Sequence, residues 1–170
     1  MNSVESDNKH NVDAKFPERV YTVKEIQLAR KLIGENYKHR LKVVGSSVFG
    51  SRVEKIVSLM RIAGYYDFFR TYIRNVVEID GIGQLREYEA TIWANAHNVD
   101  DPVEGARFFI QKAYQMKNYL EGNPYHEYGE VDAIQKSLEF LEELKKTCKD
   151  DDLRKRCEEA LKLWKDYGPM

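Results

Sequence analysis

Metal chemistry is the first that the side chains invite, and their spacing argues against it. The four histidines, His10, His39, His97 and His126, lie far apart. None pairs at the i, i+4 separation that sets two imidazoles on one helical turn. Cys148 and Cys157 fall on what read as core faces, either as buried small hydrophobes or as a disulfide across the turn between two helices. Gly45-Ser46-Ser47-Val-Phe-Gly50-Ser51 has the glycines of a phosphate cradle without the Lys-Ser/Thr of a P-loop. Nucleotidyltransferases follow Gly-Ser with paired acids on the next strand; only Glu54 is read as following here, so a helix cap accounts better for these residues. His126, with Glu127 and Glu130, could form a small acid–base cluster, and a solvated loop explains the same residues. Gly64 to Arg74 is rich in aromatics and arginine, the types that stack on bases and grip phosphates, which makes Arg70 and Arg74 a candidate anion site. At helical spacing Phe69, Tyr72, Ile73 and Val76 fall together as core, leaving both arginines in solvent near Asp67 or Glu78.

A longer ordered set carries more. It runs from a strand ending at Gly45-Ser46, through a helix ending in Tyr72-Ile73-Arg74, to Ala106-Arg-Phe-Phe-Ile-Gln111-Lys-Ala-Tyr-Gln115-Met-Lys-Asn-Tyr119. Gly122-Asn-Pro-Tyr125, Gly129-Glu130-Val-Asp-Ala-Ile134 and Leu138 to Leu144 follow. In layout this resembles small bacterial zincin-like metallopeptidases, whose corresponding helix carries His-Glu/Asp-Ala-x-His, followed by a Gly-Lys-x-Tyr loop and a helix opening with Glu. The resemblance spans roughly Leu41 to Trp164. It implies a zinc site, but this chain has Gln111 and Gln115 where the family has its histidines, and Lys112 where it has the acid. Glutamine is a poor zinc ligand and lysine is protonated at neutral pH, so only Glu130 matches a ligand and peptidase chemistry by this route fails. If the resemblance holds, Gln111 and Gln115 face inward across a cleft toward Glu130, with Lys112, Tyr114 and His126 nearby; otherwise they are ordinary surface residues.

These residues need elements to place them. A chain of 170 residues with 42% hydrophobic and 32% charged residues is sized for one folded domain. Residues 1–17 read as a disordered tail and 18–168 as the domain. No apolar run approaches the roughly 18 residues of a membrane span, and Met1 to Lys15 lacks a signal-peptide core, so a cytoplasmic setting is expected. The net charge of −1 hides an asymmetry: Arg19 to Arg74 carries 12 Lys/Arg against 4 Asp/Glu, whereas Asn75 to Met170 carries 13 against 20. That could mark a basic surface for an acidic partner, or two halves that neutralise one another within one fold.

Thr22-Val-Lys-Glu25 is a capping box opening a helix to about Tyr37. Arg40 to Val44 reads as a strand. A helix follows from Ser51, or earlier from Ser47, and after a break at Gly64 the helical pattern resumes from Tyr65 to Ile79. Ala90 to Asn95 alternates as a strand. Asp101 and Pro102 open, and Gly122 closes, a helix with Ala106, Phe109, Ile110, Ala113, Met116 and Leu120 on its buried stripe. Two further helices, from Glu130 to about Lys149 and after Asp150 or Asp151, should pack antiparallel.

The fold expected is α+β and predominantly helical, with five or six helices around a small antiparallel sheet of two or three strands, degenerate zincin-like; an all-α fold is the alternative. The function expected is non-catalytic binding or assembly, without cofactor or metal, the C-terminal helix pair serving a partner or a homodimer. The alternatives are a metal-independent hydrolase using Glu130, His126 and Tyr114, and a nucleic-acid module using Arg40, Lys42, Arg52, Arg70 and Arg74. The near-zero net charge weighs against nucleic acid.

Overall fold

The structure, a computed structural model, describes residues 16–123 and 128–167. Local capping chemistry places most helices. Helix α1 (Val23–Gly34) opens on the expected box: the Thr22 hydroxyl accepts from the Glu25 amide at 3.2 Å, and the Glu25 carboxylate accepts from the Thr22 amide at 2.9 Å. Strand β1 (Lys42–Val44) then leads into α2 (Ser47–Ala63). This helix starts at the earlier of the two expected positions, capped by Ser46, whose Oγ accepts from the Phe49 amide, and it ends at Gly64 in the left-handed region (φ 77°).

The region after Gly64 departs from expectation. The pattern from Tyr65 to Ile79 is not one helix: α3 covers Tyr66–Tyr72 alone, Ile73 is extended, and Asn75–Glu78 forms strand β2. The β-branched Val76 and Val77 suit a pleated, half-buried surface better than a helix. Strand β3 (Gln84–Arg86) was not expected, whereas β4 (Thr91–Ala94) lies inside the expected Ala90–Asn95. Asp101, Pro102 and Gly122 bound α4 (Pro102–Leu120) as the sequence indicates. Helices α5 (Tyr128–Thr147) and α6 (Asp151–Tyr167) complete the chain, with Asp150 Oδ1 accepting from the Asp152 amide.

The fold is α+β and predominantly helical, with six α-helices among the described residues, but the sheet has four strands there, in the order β1-β2-β4-β3, and is mostly parallel. β1 pairs parallel with β2 and β2 with β4; only β3 and β4 run antiparallel. The expected antiparallel sheet is corrected by its connections. β1 and β2 are joined through α2 and α3, a crossover that lets the chain re-enter the sheet in the same direction, whereas β3 and β4 are linked by a short turn. The row Val43, Val76, Ile92, Leu85 runs across the sheet, with Val76 and Ile92 fully buried at its centre.

Helix α4 is the hub. It packs on α2, α3, α5 and α6, and most of its residues are buried, including Phe109, stacked on Phe69 with ring centroids 5.9 Å apart. Gly105 lets α4 approach α2: a Cβ there would stand 2.5 Å from Ile56 Cδ1. Packing begins by Phe16, which is buried against Tyr37 and His39; the rest of the expected tail, residues 1–15, lies outside the described residues. Cys148 and Cys157 are both free and buried. No helix among the described residues is long and apolar enough to cross a membrane.

Candidate functional site

A buried arginine organises the polar side of α4. Arg107 is only 3% exposed, and a buried guanidinium is tolerated only when charge and donors are matched. Glu104, one turn back, accepts from its Nε at 2.9 Å and pairs with Nη2 at 2.9 Å. Nη1 donates forward to Gln111 Oε1 at 2.7 Å and across to Ser137 Oγ on α5 at 2.9 Å. The Ser137 hydroxyl donates in turn to the Ile134 carbonyl. The guanidinium also lies over the Trp164 indole of α6, 4.1 Å from the ring centroid, while Trp164 Nε1 donates to Glu104 Oε1 at 3.1 Å. Burial pulls the Arg107 pKa down and Glu104 restores part of the loss.

This network fixes where the expected cleft residues sit. Gln111 and Gln115 are 8% and 5% exposed, so neither points to bulk water. Gln111 turns its oxygen to Arg107, one turn back on the same helix. Glu130 is exposed at the start of α5, and its charge is felt by Lys112. The Lys112 ammonium stands 5.1 Å from the Phe108 ring centroid; burial lowers its pKa, Glu130 raises it and Arg107 lowers it further. Tyr114 is packed against Phe68, with ring centroids 4.4 Å apart, and its phenol is pushed up to about 12 by burial and by the neighbouring Tyr65, Glu139 and Asp132. His126 lies outside the described residues.

Zinc does not fit this set. Two amides and one exposed carboxylate are a weak donor set, and two cations, Arg107 and Lys112, flank the position it would need. Among the described residues no group of three His, Cys, Asp or Glu side chains could hold a metal ion.

The network leads to a groove of about 560 Å³ between the start of α4 and α6. Ala160, Leu163 and Trp164 supply its apolar surface, and Leu163 is 56% exposed. Asp101, Glu104 and Glu159 bring carboxylates to it; the one arginine, Arg156, pairs with Asp152 at 3.3 Å. Arg107 and Ser137 were missed in the sequence. The signal for Arg107 was the i, i+3, i+7 run Glu104, Arg107, Gln111 on one face of α4.

The candidate anion residues are tied into the fold. Arg70 pairs with Asp67 at 2.8 Å and lies near the Tyr66 ring. Arg74 donates to the Pro17 and Glu18 carbonyls and stacks on Phe16. Arg74 lines a second pocket with Arg40 and Lys42. Arg52 is not part of it and bridges instead to Asp100 at 3.7 Å. Strand β2 carries Glu78, with Asp80 beyond its end, so one acid does follow Gly45-Ser46 on the paired strand, and Glu78 Oε1 accepts from the Ser46 amide at 2.8 Å. No family model, curated protein or solved structure matches the chain.

Proposed function

We propose that the protein is a non-catalytic binding protein that holds a basic, aliphatic peptide segment in the groove between α4 and α6. The single observation that carries this reading is the way Gln111, Arg107 and Glu104 connect to Trp164, ending in an indole held from its face and its edge beside an open apolar surface. A preorganised aromatic in a concave surface with a polar rim is what recognition sites use. The Asp101 and Glu159 carboxylates are in no ion pair among the described residues. They suit the ammonium of a lysine whose methylenes rest on Ala160 and Leu163.

On this reading α4 belongs to a zincin-like scaffold in which the place of a metal has gone to a hydrogen-bonded arginine. The test is calorimetric titration with short Lys/Leu peptides and with Glu/Leu peptides as control, at physiological salt. Saturable binding of the basic set, lost in Trp164→Ala and in Glu159→Lys, supports the proposal. Equal binding of both sets, or none, overturns it. A dimer that Leu163→Glu splits into monomers would assign the groove to a second copy of the chain instead.

A further inference from the structure

We propose that the pocket where the N-terminal ends of β1 and β2 meet the segment after Phe16 binds a phosphomonoester group. It shares no residue with the α4–α6 groove and does not depend on that reading. Its volume is about 380 Å³. Arg40, Lys42 and Arg74 bring three cations to it, gathered because the β1–β2 register sets Lys42 opposite Asn75, the residue after Arg74. Among the described residues none of the three is in an ion pair. The one lining carboxylate belongs to Glu18; its charge and that of Glu89, outside the pocket, both favour the charged form of Arg74, whose guanidinium donates to the neutral carbonyls of Pro17 and Glu18. Three cations against one lining carboxylate leave the concavity net positive, and an anion is the complement.

A second, independent observation points the same way. His39 lines the pocket, is 2% exposed, and packs edge-on to Phe16 and Tyr37 with centroids 4.5 and 4.9 Å away. Its Nε2 is buried without a partner. Buried polar groups in native proteins are almost always bonded, so the Nε2 of this pocket-lining histidine, in the tautomer that protonates it, lacks an acceptor that an anion would supply. Burial and Arg74 hold the imidazole pKa down to about 3, so His39 is neutral and offers one N–H without adding charge. A tetrahedral, doubly charged phosphate supplies acceptors in several directions at once and matches guanidinium geometry. The pocket is too confined for a duplex, so the group is a free phosphate ester or the 5′ end of a single strand.

Titrations at fixed ionic strength test this with inorganic phosphate, AMP, and a short oligothymidylate carrying either a 5′-phosphate or a 5′-hydroxyl. The expected results are saturable binding of AMP and a rise in Tm with phosphate over chloride. Arg40→Ala and Lys42→Ala, both at exposed positions, should each weaken AMP binding by about tenfold. His39→Phe, which keeps the ring packing and lacks Nε2, should lose phosphate binding without a lower Tm in its absence. Binding of AMP alone identifies a small ester; a preference of the 5′-phosphorylated strand over the 5′-hydroxyl strand identifies a nucleic-acid end. No saturable binding of any probe, or affinities unchanged in the Arg40, Lys42 and His39 variants, overturns the assignment.

Discussion

Arg107→Ala is the sharpest perturbation of the α4 network, because its parts differ in how they recover. The Glu104 side chain is 42% exposed, so its carboxylate rehydrates and its loss counts for little. Ser137 keeps its bond to the Ile134 carbonyl. Gln111 is 8% exposed and its oxygen loses its short partner, at a cost of about 1–3 kcal/mol for an unsatisfied buried group. The arginine stem and the face of Trp164 lose packing worth about 1–2 kcal/mol more. The total is about 2–5 kcal/mol, which overlaps the range for breaking a buried charged pair. Arg107→Met with Gln111→Leu removes both ends of the contact and should fall within about 1 kcal/mol of wild type. Urea unfolding followed by circular dichroism measures both, with the m-value held constant as the check on two-state behaviour. An Arg107→Ala protein within about 1 kcal/mol of wild type, or a double variant whose cost is the sum of the singles, would refute a buried, coupled network.

Three further outcomes follow from the same geometry. His39 is held neutral when folded, with a pKa of about 3 against 6.5 for the free side chain. The unfolded chain therefore binds the extra proton between these values, and stability falls as pH drops through that window by up to about 1.4 kcal/mol per unit. Between pH 6.5 and 5 the His39→Phe variant should show a flatter stability profile than wild type, and parallel profiles would contradict a neutral buried imidazole. Gly105→Ala should cost about 1–3 kcal/mol, because the new Cβ would stand 2.5 Å from Cδ1 of the fully buried Ile56 and 3.0 Å from the backbone carbonyl of Asn98; an unchanged urea midpoint would show that α4 and α2 are less closely packed. Cys148 and Cys157 are free, so a reducing agent should leave the Tm unchanged, and a fall would reveal a disulfide.

Where the sequence was informative, the determinant was local. Asp101, Pro102 and Gly122 bound α4 through their own backbone chemistry, and Thr22 with Glu25 does the same for α1. β2 was hidden because its evidence is distant: Val76 is stabilised by Val43 on one side and Ile92 on the other, while its sequence neighbours Phe69, Tyr72 and Ile73 fit a helical period. The burial of Arg107 was hidden for the same reason. On α4 alone it is a charged residue beside an apolar stripe; Ser137 and Trp164, which bury it, lie 30 and 57 positions further along the chain. The charge excess between Arg19 and Arg74 was plain, but its focus at Arg40, Lys42 and Arg74 required the parallel register of β1 and β2.

Gln111 and Gln115 raise the question of whether histidines alone would create a metal-binding turn, and the surrounding charge answers it. Arg107 Nη1 lies 2.7 Å from Gln111 Oε1, so a donor atom at that position already faces a guanidinium. Lys112 sits on the following residue, close enough to Arg107 for each charge to disfavour the other. Unit charges about 4 Å apart interact by about 4 kcal/mol near a protein surface, and zinc carries two. Such repulsion cancels much of what two imidazoles and an exposed carboxylate contribute. Gln111→His with Gln115→His is therefore expected to leave the protein without stoichiometric zinc in competition with a chelating dye. Adding Arg107→Leu and Lys112→Glu removes both cations and supplies an acid, and affinity should appear only then. Tight zinc binding by the histidine pair alone would mean that amide ligands, and not the buried guanidinium, are what separates this helix from a metal site.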